Sequence, residues 1–395
     1  LGHFYSFFTG YLGFRMLEGE YKMMGLAPLG SPIYKDLIYK KIIKLNKDKG
    51  DYSFNYNLCD YHSALEGKFN PKLFNNFIKP RKKNEALTQK HKDLAASIQE
   101  VFEEVLENTL SWIKKNYPDY DELVLSGGCA LNVSANGKII QKSIFKNITL
   151  PPAPHDAGCS VGSVLSYLKD NNLKIDYESV RNPYLGTEFS NDDIKKIFQK
   201  MNLTIPTFYN DIELADKTAR KIADKGIVAW FQGRSEFGPR ALGSRSFLAD
   251  PRNDSIREEI NKKIKKRELF RPFAPSILFE NQSEYFDLSK CSPYMNIVSN
   301  VKKTKQPLIP AVVHTDNTSR VHSVIKKLNP KYHLLISKFY EITGIPVLLN
   351  TSFNIQEPIV NSPKDAIKTF FDSDVDLLVI GNYFCDKEWK LKQIK

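Results

Sequence analysis

Gly226-Ile227-Val228-Ala229-Trp230-Phe231-Gln232-Gly233-Arg234-Ser235-Glu236-Phe237-Gly238-Pro239-Arg240-Ala241-Leu242-Gly243-Ser244-Arg245 joins an apolar run to a loop that holds three arginines among glycines. The run is short and apolar throughout, which reads as a buried strand. Arginine presents a planar fork of donors that grips phosphate or carboxylate with paired hydrogen bonds. Glycine lets backbone N–H groups close around an anion. A strand that delivers such a loop reads as the wall of a small-anion site, with further basic groups from Lys265 to Arg271 and at Arg320. The competing reading is a solvated basic loop, against which the glycines and the rigid Pro239 argue.

Around this stretch, helix and strand patterns alternate. A helix at 192–200 precedes a short strand at 204–209, and a helix at 214–225 leads into the strand at 226–232. A helix at 255–263 follows, with strands expected at 276–280, 294–301 and 311–314. A helix at 332–343, a strand at 346–349, a helix at 363–371 capped by Ser362, and a strand at 377–380 complete the series. This alternation predicts an α/β, mixed α+β fold.

The first half reads differently. Residues 1–30 are punctuated by glycine, and 31–90 are polar and irregular with a helix near 34–45. From 91 to 117, Leu94, Ile98, Phe102, Val105, Leu106, Leu110 and Ile113 recur at helical spacing, and Pro118 ends the run. A buried strand, Glu122-Leu123-Val124-Leu125, runs into Ser126-Gly127-Gly128, and a helix over 129–142 follows. A strand at 148–150 is stopped by Pro151 and Pro152, and a small-residue helix spans 159–168. Polar, turn-rich sequence at 169–190 places the domain boundary between residues 181 and 182, giving domains 1–181 and 182–395.

The chain has 395 residues, 42% of them hydrophobic, enough for two or three domains with real cores. Its formal net charge of +12 permits nucleic-acid binding without requiring it, because much of the excess is scattered lysine. The five cysteines are odd in number and none has C-x-x-C spacing, which argues against a disulfide framework and a cysteine zinc site and fits a reducing cytoplasm. Neither a membrane-length apolar run nor a signal peptide is evident. The chain begins at Leu1 rather than methionine and reads as a fragment that starts inside a domain.

A strand ending in Ser126-Gly127-Gly128 and feeding a helix is a geometry suited to nucleotides: the glycines admit phosphates to the backbone, and the helix start adds a favourable dipole. Asn132, about a turn further, is placed to bond ribose or phosphate; a plain tight turn is the alternative. Asp156 opens the next helix, either as a cap or as a ligand to a metal that bridges phosphates. His155 beside it is the weaker ligand candidate. No histidine pair has the four-residue spacing of ligands on one helix face; the others are His3, His62, His91, His314, His322 and His333.

Several long blocks together resemble the C-terminal part of the NodU-type O-carbamoyltransferases, which include carbamoylating enzymes of aminoglycoside antibiotics. The blocks are Glu20-Tyr21-Lys22-Met23-Met24-Gly25-Leu26-Ala27-Pro28; Leu125 to Asn132; Asp156-Ala157-Gly158; Glu236 to Ser246; Ala249-Asp250-Pro251-Arg252; Arg267 to Pro275; Ser319-Arg320-Val321; and Leu349-Asn350-Thr351-Ser352-Phe353-Asn354. They span nearly the whole chain. The resemblance implies part of an actin-like (ASKHA) domain binding ATP and Fe2+ or a similar divalent metal, followed by a YrdC-like domain binding carbamoyl phosphate. Carbamoyl phosphate and ATP would give carbamoyl adenylate, whose carbamoyl group passes to a hydroxyl of a small-molecule acceptor, a sugar or natural product. By the family pattern Arg240, Lys265, Arg271 and Arg320 hold carbamoyl phosphate and the adenylate. Gly127, Gly128, Asn132, Lys22, Asn350, Ser352 and Asn354 contact nucleotide or substrate, and Asp156 is a metal ligand.

Two anions held side by side require fixed cations and donors, in keeping with this pattern. The family's remaining metal ligands are histidines upstream of the matched blocks, so the first half of the actin-like domain is expected to be missing and the chain alone to hold metal poorly. Leu29 stands where the family has tyrosine, and Ile355-Gln356-Glu357-Pro358 lacks the glycine usual before Glu-Pro. Two alternatives stand beside this reading: a tRNA-modifying carbamoyl-adenylate enzyme and a non-catalytic basic RNA-binding protein. The second would need aromatic residues on a basic surface to stack bases, a signature the sequence lacks, so nucleic acid is not the expected partner. The chain is read as cytoplasmic, without a membrane partner, and a homodimer is left open.

Overall fold

A computed structural model describes residues 1–75 and 77–394. They divide into two compact units, Leu1–Leu150 and Pro151–Lys395. Compactness thus places residues 151–181 with the second unit, whereas the sequence groups them with the first.

In the first unit, the helix Gly2–Tyr11 buries Phe4, Phe7, Phe8 and Tyr11. Its aromatic rings meet edge-on, as Phe7 does with Phe8 at 5.2 Å between centroids. The helix Gln89–Asn116 buries Leu94, Ile98, Val101, Phe102 and Val105 on one face and starts in a capping box made by Thr88 and His91. Each such side chain, when fully buried, contributes roughly 1.5–3 kcal/mol. The expected helix near 34–45 shortens to Lys35–Lys41, because β1 (Ile43–Asn46) and β2 (Asp51–Phe54) pair there as an antiparallel hairpin. β3 (Glu122–Val124) and β4 (Asn147–Thr149) form a parallel pair. The helix expected over 129–142 is interrupted: a 3-10 turn, Gly128–Leu131, comes first, and the helix Val133–Lys142 restarts at Asn132.

The second unit is built on a nine-stranded mixed sheet. Its strands are β5 (Thr207–Phe208), β6 (Val228–Phe231), β7 (Arg245–Ala249), β8 (Ala274–Leu278), β9 (Ile297–Asn300), β10 (Thr318–Val324), β11 (Val347–Ser352), β12 (Leu377–Ile380) and β13 (Tyr383–Asp386). They lie side by side in the order β5-β13-β12-β6-β7-β11-β8-β10-β9, with β12–β6 and β8–β10 parallel. β6, β7, β8 and β12 are buried at every position, as expected of strands covered on both faces. The helix Asp211–Ala223 packs on Pro330–Thr343, and Pro363–Phe371 packs on β6 and β12. The α/β class follows directly from this sheet and its helices.

Within this sheet, β7, β10 and β13 are not among the strands expected from the sequence. β10 reads Thr-Ser-Arg-Val-His-Ser-Val, with too many polar groups for an apolar pattern, yet Ser319, His322 and Ser323 are buried and hydrogen-bonded. The strand expected at 311–314 is instead a 3-10 turn, Pro310–Val312, where proline supplies no N–H for a ladder.

Register decides the geometry of the site. Phe231 pairs with Arg245, Ser246 with Ser352, Asn350 with Ala274 and Ser276 with His322. The C-terminal ends of β6, β11 and β12 and the N-terminal ends of β7, β8 and β10 therefore meet at one edge of the sheet. The loop 233–244, the segment 265–273, the residues after Ser352 and the turn before β10 all emerge there.

Candidate functional site

The loop between β6 and β7 is held from within. One Glu236 carboxylate oxygen accepts from the backbone N–H groups of Leu242 at 2.7 Å, Ser244 at 2.8 Å and Arg245 at 3.2 Å. The Leu242 carbonyl accepts from the Tyr184 hydroxyl at 2.9 Å. Two glycines are obligatory. Gly238 sits at φ +120, where a Cβ would lie 2.5 Å from the Pro152 carbonyl oxygen. Gly243 sits at φ +88, where a Cβ would lie 2.1 Å from the Tyr332 ring.

The three arginines of this loop part company. Arg245 is wholly buried, stacks 3.6 Å over the Phe231 ring and donates to the carbonyls of Gln232, Ser244, Thr187 and Gly233. It is a structural tie, and burial pushes its guanidinium down to about 10. Arg234 points to solvent near Glu188, at 3.9 Å. Arg240 alone remains for an anion. No described residue donates to it, accepts from it or pairs with it, so Glu236 holds the loop without neutralising Arg240. Desolvation pushes the Arg240 guanidinium down to about 10.

Arg320, on β10, is in the same condition. Its Nε is buried without a partner. Burial first, then Arg240, Arg267 and Arg271, pushes its guanidinium well below the ordinary value. Each of those cations thus acts on Arg320, which places four arginines around one spot. Arg267 donates through Nε to Asn261 at 2.6 Å, and Arg271 lies 3.8 Å from Glu268. Unlike charges paired at contact offset desolvation; among the described residues Arg240 and Arg320 have no carboxylate of their own to do so. Such a cluster is stabilised when an anion enters it.

Lys265 takes a different place from the one its basicity suggests. It follows a π-helical turn, Ile260–Ile264, and is 2% exposed, whereas Lys266 beside it faces solvent at φ +45. Its ammonium donates to the Ser352 carbonyl, and lies 3.1 Å from Ser352 Oγ, 2.8 Å from the Asn354 carbonyl and 2.7 Å from Asn354 Oδ1. Burial, then Arg267 and Arg271, lowers its pKa well below the ordinary lysine range. Lys265, Ser352 and Asn354 therefore form one knot that fixes the chain leaving β11. Glu357 closes the next turn by accepting from the N–H groups of Ile355 and Gln356, each at 3.0 Å, in place of the glycine that the sequence lacks there. Asn350 is 1% exposed and donates to the Ala241 carbonyl at 3.1 Å and to Ser276 Oγ at 3.0 Å, which ties β11 to the arginine loop. Its Oδ1 has no partner.

Sequence reasoning passed over two groups here. Glu236 ties the arginine loop together through three backbone N–H groups, a role that nothing in its sequence context marks. His314, in the turn before β10, had been considered only for helical metal spacing. Its Nε2 is buried without a partner, and burial pushes the imidazole down to about 4. The signal was its place six residues before Arg320, legible only once β10 is known. A cleft of about 430 Å³ in the same unit opens by Gln232, Arg234, Ser244 and Asn329, and does not include Arg240, Arg320 or Lys265.

In the first unit, Gly127 at φ +92 and Gly128 are exposed, with open space where a side chain would stand. Asn132 faces inward. Its Oδ1 caps the following helix by accepting from Ala135 N–H at 3.0 Å, and its amide exchanges two hydrogen bonds with Gln99, both at 3.0 Å. Lys22 lies on the short helix Glu20–Leu26, 6.0 Å from the Phe14 ring. In the second unit, Asp156 is exposed at the start of a 3-10 turn, beside His155, whose Nδ1 is buried without a partner. Among the described residues no three His, Cys, Asp or Glu side chains gather as a metal cluster. An iron ion is therefore not fitted by these residues by themselves, and no chemical step is assigned to one. No described helix is long and apolar enough to cross a membrane.

Comparison with known proteins identifies the family. The family model described as the carbamoyltransferase N-terminus matches residues 1–165, and that of the carbamoyltransferase C-terminus matches 219–387. The chain is 38% identical over 397 residues to nodulation protein NolNO of Sinorhizobium fredii, covering 98% of this chain and 55% of that protein. It is 38% identical over 395 residues to nodulation protein NolO of Bradyrhizobium diazoefficiens, covering 98% and 69%. It is 30% identical over 284 residues to the 3'-hydroxymethylcephem-O-carbamoyltransferase of Amycolatopsis lactamdurans, covering 71% and 52%. The chain thus spans from about half to about seven tenths of the length of these relatives. With both family models matched in order, and with the arginine cluster inside the second match, the chain belongs to the carbamoyltransferase family.

Proposed function

We propose that this chain supplies the carbamoyl-phosphate site of an O-carbamoyltransferase, and that Arg240 and Arg320 are its principal anion-binding side chains. The observation that carries the reading is their lack of any carboxylate or hydrogen-bond partner among the described residues, at an edge of the sheet where Arg267 and Arg271 add further positive charge. A dianion entering this cluster supplies the missing countercharge and accepts charge-assisted hydrogen bonds. Lys265, Ser352, Asn354 and Asn350 hold the edge in place, with the Asn350 amide fixing the arginine loop. Arg271 completes the wall beside Arg320.

The domain assignment belongs to the same proposal. Residues 1–181 form part of an actin-like nucleotide domain and 182–395 a YrdC-like domain. Gly127 and Gly128 would admit ATP phosphates to the backbone, with Lys22 as a further cation of the first unit and Asn132 holding the turn. The proposed reaction converts carbamoyl phosphate and ATP to carbamoyl adenylate and transfers the carbamoyl group to a hydroxyl of a small molecule. The name of the cephem relative supports a hydroxymethyl acceptor as the class of substrate.

The test is calorimetric titration of the chain with carbamoyl phosphate, native and with Arg240→Ala or Arg320→Ala. Each change is expected to weaken binding by about 1.5–3 kcal/mol, typical of hydrogen bonds to charged groups. Binding unaltered by both would sink the assignment. Pyrophosphate release from ATP that depends on carbamoyl phosphate, measured on the whole protein, tests the adenylate step.

A further inference from the structure

Carbamoyl phosphate makes two demands on its site. Its phosphate and carbonyl oxygens accept hydrogen bonds, and its amine donates two. Arginines meet the first demand and not the second, because a guanidinium has no acceptor. An acceptor has to face the same spot, and it has to be free.

His314 is such a group. Its backbone N–H donates to the Thr318 carbonyl at 2.8 Å, and its carbonyl accepts from Asn317 N–H at 3.0 Å, so a tight turn folds the ring back against the start of β10. Thr318 and Arg320 lie two residues apart on that strand and point to the same face. The proton positions around the ring follow from the partners. Thr318 Oγ1 lies 2.6 Å from Asp316 Oδ1, and a carboxylate only accepts, so the hydroxyl proton is committed to Asp316. Thr318 Oγ1 then has only lone pairs for His314 Nδ1, 3.2 Å away. Nδ1 must carry the ring proton, which leaves Nε2 as a bare lone pair, buried and without a partner. Burial is the largest influence and holds the imidazole neutral; Asp316 pulls the other way, and Arg320, the Phe273 carbonyl and Arg257 add lesser effects of both signs.

We propose that His314 Nε2 accepts a hydrogen bond from the amine of bound carbamoyl phosphate, and so selects it over acyl phosphates that carry a methyl group there; this rests on reading the arginines as the carbamoyl-phosphate site. A methyl group in that place leaves the Nε2 lone pair buried and unpaired, which a site of this kind penalises. Two groups compete for the role. Among the described residues Asn350 Oδ1 on β11 is a further acceptor without a donor, and the Phe273 carbonyl would take the ring proton if it lay on Nε2 instead.

The experiment titrates the full chain with carbamoyl phosphate and with acetyl phosphate, and compares the native chain with His314→Leu, His314→Gln and Asn350→Ala. The native chain is expected to prefer carbamoyl phosphate by about tenfold or more, the value of one buried hydrogen bond. His314→Leu should remove that preference by weakening carbamoyl phosphate alone. His314→Gln, which returns an oxygen acceptor near the Nε2 position, should restore part of it. Equal affinity of the native chain for both ligands, or equal loss of both in His314→Leu, overturns the inference while leaving the arginine site standing. So does loss of preference in Asn350→Ala with none in His314→Leu. If neither phosphate binds the native chain, the arginine assignment fails as well. The 15N resonances of His314 in the native chain give a reading that needs no variant: a protonated Nε2 refutes the acceptor role.

Discussion

Arg240→Met should make the second unit more stable while it damages binding. The arginine is part-buried and has no partner among the described residues, and desolvation lowers its guanidinium to about 10. At neutral pH the group is charged in both folded and unfolded chains, so that fall is a penalty carried by the fold. At about 1.4 kcal/mol per pH unit it amounts to ~3 kcal/mol. Solvent reaches part of the side chain and screens the charge, which reduces the expected gain to ~1–2 kcal/mol. Methionine keeps most of the packing volume and removes the charge. For a unit of this size the melting transition should rise by about 2–8 °C. The same change should weaken carbamoyl phosphate by roughly ten- to 150-fold, the loss of a charge-assisted contact. Scanning calorimetry and titration calorimetry on one preparation read both effects, and the gain in stability should shrink as salt is raised. A lower melting temperature would show that Arg240 ties the loop together, and the reasoning from missing partners would be wrong.

Other changes should separate structural from binding roles. Glu236→Ala strips three backbone N–H groups of their acceptor and should cost ~1–3 kcal/mol, opposite in sign to Arg240→Met; an unchanged melting temperature would contradict the loop geometry. Asn132→Ala loses a helix cap and two buried hydrogen bonds with Gln99, so the first unit should lose ~2–3 kcal/mol; weaker ATP binding with no loss of stability would place Asn132 among the nucleotide contacts. Acid should destabilise the second unit early. His314 and His322 are pushed down to about 4 and about 3 by burial, below the unfolded value of 6.5, so the unfolded chain binds more protons and stability falls as pH drops from 6.5. Between pH 6.5 and 5 the slope should approach ~2.7 kcal/mol per pH unit, measured by denaturation of that unit; a flat profile in this window would mean that the two rings are already charged in the fold.

How far the sequence could be read depended on whether each feature was local. The helices Gln89–Asn116 and Pro363–Phe371, the strand β12 and the glycine-punctuated arginine loop were legible because periodicity, caps and glycine are local properties of the chain. The α/β class followed from their alternation, and the family from blocks of sequence that stand without any fold. Orientation was not local. Three arginines of one loop look alike in sequence, and only the tertiary structure turns Arg245 inward to carbonyls from Thr187 and Gly233, Arg234 to solvent, and Arg240 to an edge without a countercharge. Lys265 and Lys266 are neighbours in the chain, and a positive φ at Lys266 decides which of them is buried. The strand β10 carried no apolar signature because its buried His322 and Ser323 are satisfied by Ser276 and Gln282, far away in sequence. His314 could become an acceptor only through the turn that aims it at Thr318 and Asp316. Residue type, spacing and backbone preference belong to the sequence; which polar groups end up paired, and which are left without a partner at the edge of the sheet, is settled by the long-range strand pairing that assembles them.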